Sequence, residues 1–75
     1  IDKASIRILP IFELIAKTGN IPERDMFNTF NMGVGMVVAV AKEDVDKAIA
    51  SLQASGETAY VIGEVAEGTE GVTML

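Results

Sequence analysis

The sequence predicts an α/β (α+β) fold: a mixed sheet with a strand–helix–strand unit and a C-terminal hairpin, its helices packed on the sheet, forming a fragment of a larger layered domain. Three observations predict it. Pro10 and Pro22 each open a stretch of helically spaced apolar residues. Met36 to Val40 is a continuous, valine-rich run, the pattern of a strand covered on both faces. Val45, Ala48, Ile49 and Leu52 then recur at i, i+3, i+4 and i+7 before a second apolar run, Thr58 to Val65, so that two parallel strands flank a helix.

The elements follow in order. "SIRIL", ending at Leu9, alternates apolar and polar residues and reads as a short extended segment. Pro10 disfavours helix at Leu9 and suits the first position of a helix. Ile11, Phe12, Leu14 and Ile15 continue that helix, and Thr18-Gly19-Asn20 ends it, with Gly19 as the expected left-handed cap. From Pro22 to Thr29 or Phe30 a second helix is expected, with Glu23 and Asp25 at the positive end of its dipole and Met26, Phe27 and Phe30 on its apolar face. Gly56 closes the third helix, "AEGTEG" is a loop, and "VTML" is the strand that completes the hairpin. The expected core is Phe12, Ile15, Met26, Phe30, Val37, Val38, Val40, Val45, Ile49, Leu52, Val61 and Ile62.

Composition removes several functions. With no His and no Cys, the chain has no Ser/His/Asp or Cys/His catalytic set, no disulfide and no ordinary zinc site. Six scattered Lys and Arg stand against 11 Asp and Glu, for a net charge of −5, which disfavours a nucleic-acid partner. The longest apolar run, Met36–Ala41, is too short to cross a bilayer, so no membrane partner is expected. The N-terminus lacks a signal-peptide pattern. It also lacks an initiator Met, which reads as processing or as a start within a longer protein. Hydrophobic residues make up 49% of the chain, high enough that apolar surface is expected to meet something beyond it. The carboxylates of Glu43, Asp44, Asp46, Glu67 and Glu70 serve a helix start and a solvated loop, with nothing to desolvate a catalytic pair.

The chemistry-bearing stretch is "FNTFNMGVGMVVAV", Phe27 to Val40. Its glycines do not form a dinucleotide fingerprint: the order is helix, glycines, strand, and position 38 is Val. Two readings remain. Asn28, Thr29, Asn31, Gly33 and Gly35 can offer side-chain and backbone donors to an anion. Alternatively, Asn31 caps the second helix in a left-handed conformation and the glycines turn the chain sharply.

The segment "RDMFNTFNMGVGMVVAV", preceded by "GNIPE" and followed by "AYVIGEV", resembles the end of the phosphoribosylformylglycinamidine cyclo-ligase family, also called aminoimidazole ribonucleotide synthetase. The likeness covers nearly the whole chain, and the core of Thr29 to Met36 is its most specific part. Two positions depart from the family pattern. Asn28 stands where a basic residue is common, and Arg7 and Ile8 stand where a Trp is common.

The resemblance implies a two-domain cytoplasmic enzyme of purine synthesis, acting as a homodimer. It uses ATP with Mg2+ to close the imidazole ring of a phosphoribosyl substrate, formylglycinamidine ribonucleotide. Residues 1–75 would be the last part of its C-terminal domain, and the N-terminal domain that carries most of the ATP site would be missing from this chain. Asn28, Thr29, Asn31, Gly33 and Gly35 would line the substrate cleft, with Thr29 and Asn31 as the leading polar contacts. No residue is assigned a catalytic role, and no metal ligand is expected here. The chain alone is expected to be inactive. The competing reading is a non-catalytic module that binds a phosphate ester or self-associates through the strand edge at Val72–Leu75.

Overall fold

The computed structural model describes residues 1–75 and contains three α-helices and two 3-10 turns: a turn at Lys3–Ser5, α1 at Pro10–Gly19, α2 at Glu23–Thr29, a second turn at Lys42–Asp44, and α3 at Val45–Ala54. The helices form where the punctuation marks them. Pro10 is the first residue of α1, after an extended Leu9, and Glu13 and Lys17 sit at the dipole ends that suit their charges. The left-handed residue that ends α1 is Asn20 (φ 51°, ψ 47°), not Gly19. Asn tolerates this conformation better than other side-chain-bearing residues, and the N–H groups of Asn20 and Ile21 both donate to the Ala16 carbonyl.

Pro22 caps α2 from an extended conformation, and its carbonyl accepts from the N–H groups of Asp25 and Met26. Helix α1 packs on α2. The Phe12 and Phe30 rings meet at 5.8 Å between centroids with a 52° tilt, a favourable aromatic geometry. Two residues are buried, Met26 at 1% exposure and Met32 at 6%. They share an apolar hollow of about 210 Å³ with Ile8, Phe12, Ile21 and Phe27. Gly56 ends α3 with φ 88°, as its position in the sequence predicts.

The expected sheet is absent. The chain has no strand, so the mixed sheet, the strand–helix–strand unit, the C-terminal hairpin and the packing of helices on a sheet are all corrected. The reason is pairing. A strand exists through hydrogen bonds to a neighbour, and no residue from Gly35 to Val40 makes a backbone–backbone hydrogen bond. The run is extended but unpartnered, with Met36 83% and Val38 58% exposed. Val37, Val40, Leu52 and Val61, also expected in the core, are exposed too. At the other end of the chain Thr73–Leu75 lies beside Ile1–Lys3. Leu75 donates to the Ile1 carbonyl and Lys3 to the Leu75 carbonyl, while Asp2 donates to Ile62. These contacts have the slanted register of a parallel pair but are too few to make a strand. The segment "SIRIL" likewise forms no sheet member, and its first residue, Ser5, belongs to the Lys3–Ser5 turn.

Candidate functional site

The structure places the five candidate residues along one exposed path from the end of α2 into the extended run. Asn28 and Thr29 are in the last turn of α2. Phe30 leaves the helix in an extended conformation and donates its N–H to Met26. A tight turn follows at Asn31–Val34, closed by the Val34 N–H donating to the Asn31 carbonyl at 2.9 Å. Its two central residues have positive φ, 56° at Met32 and 106° at Gly33, the signature of a mirror-image turn. The Asn31 side-chain carbonyl accepts from the Gly33 N–H at 2.9 Å. All five candidates are exposed.

This geometry answers part of the turn-or-ligand question. Gly33 has a structural requirement: its φ is left-handed, and an added Cβ would lie 3.1 Å from the Arg7 carbonyl oxygen and from Leu9 Cγ. Asn31 acts as a turn residue, but the left-handed position belongs to Met32, not to Asn31. A non-glycine residue there costs roughly 1–2 kcal/mol. Burying the Met32 side chain to 6% exposure offsets that with about 1.5–3 kcal/mol. Gly35 has no such requirement, since a Cβ there would meet nothing within 4 Å. The Gly33 N–H is taken by Asn31 Oδ1, so the turn does not present a ring of free backbone donors. What it leaves open are the amide nitrogen of Asn31, the side chains of Asn28 and Thr29, and the uncovered backbone at Gly35.

One neighbour of the turn escaped the sequence reading. Arg7, whose carbonyl abuts Gly33, donates its backbone N–H to the Tyr60 hydroxyl at 3.0 Å. Its guanidinium lies 4.5 Å from the centroid of the Tyr60 ring. No local pattern joins residues so far apart in sequence. A wider hollow than the one at Met26 and Met32 lies elsewhere. It has a volume of about 530 Å³, lies between the N-terminus and the C-terminal segment, and is edged by Asp2, Glu64, Glu67 and Glu70. Four carboxylates disfavour a phosphate there. No three Asp, Glu, His or Cys side chains come together to hold a metal ion, and no helix is long and apolar enough to cross a membrane.

Comparison with known proteins gives this arrangement its class. Residues 2–75 match the family described as AIR synthase related protein, C-terminal domain, and the chain belongs to that family. Among proteins of known name it is similar to the phosphoribosylformylglycinamidine cyclo-ligases of Thermoanaerobacter pseudethanolicus (54% identical), Lachnospira eligens (50%) and Lachnoclostridium phytofermentans (47%). Each likeness covers 99% of this chain and 22% of the relative. The chain therefore spans about a fifth of the length of these relatives. No solved structure matches it significantly.

Proposed function

We propose that this chain is the C-terminal part of an ATP-dependent cyclo-ligase that closes the imidazole ring of formylglycinamidine ribonucleotide to give aminoimidazole ribonucleotide in the cytoplasm. The observation that carries the reading is identity of 47–54% along 99% of the chain to proteins named phosphoribosylformylglycinamidine cyclo-ligase. Exposure supports it as well. Only two of 75 residues are buried, and an extended apolar run with no backbone partner suits a piece whose remaining contacts lie in a longer protein.

In this reading the Asn–Gly path lines the substrate cleft. The amide of Asn31, whose oxygen is fixed by Gly33, directs its nitrogen as a neutral donor that needs no reorganisation as charge develops on the substrate. Thr29 adds a hydroxyl, and Asn28 an amide. Gly35 lets the substrate approach the backbone. In this reading most of the site for ATP and its Mg2+ lies in the rest of the protein, which acts as a homodimer.

The test is a chimera. The C-terminal fifth of the Thermoanaerobacter relative is replaced by residues 2–75, and ATP-dependent ring closure is assayed. Turnover by the chimera, with none from the 75-residue chain alone, is the expected result. A folded, dimeric chimera with no turnover, or turnover by the isolated chain, overturns the reading.

A further inference from the structure

We propose that Arg7 is the phosphate-binding cation of the Asn31–Val34 turn, positioned by Tyr60. The inference rests on the reading of the turn as part of a phosphate-ester site and goes beyond it by naming the charged partner. Asn28, at the foot of the turn, carries no charge, and the turn itself offers only neutral groups. Arg7 supplies what they lack from a different segment.

Three features make it more than a solvated surface charge. The first is position, since the Arg7 main chain packs against Gly33 closely enough that a Cβ on Gly33 would be 3.1 Å from the Arg7 oxygen. The second is a two-point hold by Tyr60. The hydroxyl accepts from the Arg7 backbone at 3.0 Å, and the ring lies 4.5 Å from the guanidinium. The ring contact uses none of the guanidinium N–H groups as hydrogen-bond donors, so they are left for a phosphate, which an arginine can bind in bidentate fashion. The third is availability. The Arg7 side chain makes no hydrogen bond and no ion pair, whereas Lys3 is held by Glu23 at 2.6 Å. Holding a long side chain in advance lowers the ordering cost of binding.

The experiment titrates ribose 5-phosphate into the 15N-labelled 75-residue chain, with ribose as the uncharged control. The signals followed are Arg7 Nε–H, the Gly33 backbone N–H and the Asn31 side-chain amide. The expected result is saturable shifts at all three with ribose 5-phosphate and none with ribose. Arg7→Gln then weakens binding about tenfold or more, the range of a charge-assisted hydrogen bond. Arg7→Lys recovers part of the loss, because an ammonium keeps the charge but not the fork. Tyr60→Phe retains the ring and most of the affinity, while Tyr60→Leu loses it in the same direction as Arg7→Gln.

Arg7 is exposed and the bond from its backbone to the Tyr60 hydroxyl survives substitution of its own side chain, so the Arg7 variants keep the fold. If Arg7→Gln binds as tightly as the unaltered chain, with Asn31 and Gly33 still responding, the role of Arg7 is overturned and the turn stands as the site. Shifts at Arg7 without any at Asn31 or Gly33 overturn its placement at the turn. No response at any of the three in the unaltered chain overturns both.

Discussion

Met26 exposes 1% of its surface and Met36 exposes 83%, although both sit in apolar stretches of similar strength. The difference lies in what surrounds them. Met26 is on a helix whose backbone is satisfied internally, so α2 needs only one apolar neighbour to bury its face, and α1 with the Met32 turn provides it. Met36 is in a run whose backbone groups must find a partner strand, and none is within reach. A helix carries its hydrogen bonds with it, but an extended segment must borrow them. The region around Met26 therefore closes on itself within the chain, while the Gly35–Val40 ribbon remains open.

The strongest way to test that contrast is to cut one apolar side chain from each region. Met26→Ala leaves a hollow in the only closed part of the chain and is expected to cost about 2–5 kcal/mol. That is a large share of the stability of so small a domain. Helical circular dichroism at 222 nm during urea titration measures it. Val38→Ala, at 58% exposure, is expected to change the midpoint by no more than about 0.5 kcal/mol. Equal effects from the two substitutions would mean that the ribbon is packed in solution. Amide hydrogen exchange gives a second reading of the same contrast. The amides of Gly35–Val40, which have no backbone acceptor, are expected to exchange quickly, and those in the middle of α1 and at Phe30 slowly.

The next effect separates the two glycines of the turn. Gly33→Ala forces a side chain into φ 106° and against the Arg7 carbonyl, at an expected cost of about 1–3 kcal/mol. Gly35→Ala meets no atom within 4 Å and is expected to leave stability nearly unchanged. In the chimeric enzyme, a Gly35→Ala variant of normal stability with raised KM would assign Gly35 to substrate approach. A chimera with unchanged kinetics would remove Gly35 from the site.

These comparisons also indicate which parts of the molecule are legible in sequence. Pro10, Pro22 and Gly56 mark helix ends because their effects are local: a fixed φ, a missing donor or a permitted left-handed φ. The apolar spacing of Phe12, Ile15 and Met26 identifies their faces for the same reason. Val37, Val38 and Val40 mislead because an apolar run states that a segment should be covered and not by what. Met32 is missed as a core residue because it sits between Asn and Gly, a context that reads as exposed turn. A single apolar residue at the centre of such a turn is the signal that could have found it. The turn itself is visible in "NMGV", whereas the approach of Arg7 to Tyr60 depends on how distant segments lie together.

A small effect is expected at the link between the N-terminal turn and α2. Lys3 Nζ lies 2.6 Å from Glu23 Oε1, with the two side chains 37% and 67% exposed. Exposed pairs of this kind contribute about 0–1 kcal/mol, because solvent screens the attraction and two long side chains must be ordered. Lys3→Gln is therefore expected to shift the urea midpoint by far less than Met26→Ala or Gly33→Ala, and the shift should vanish in high salt. The measurement is informative because Lys3 also donates its backbone N–H to the Leu75 carbonyl. A loss well above 1 kcal/mol that persists in salt would mean that the side chain helps hold the N-terminus against Thr73–Leu75. The C-terminal segment would then be part of the closed region around Met26, and the boundary between closed and open parts would have to be redrawn.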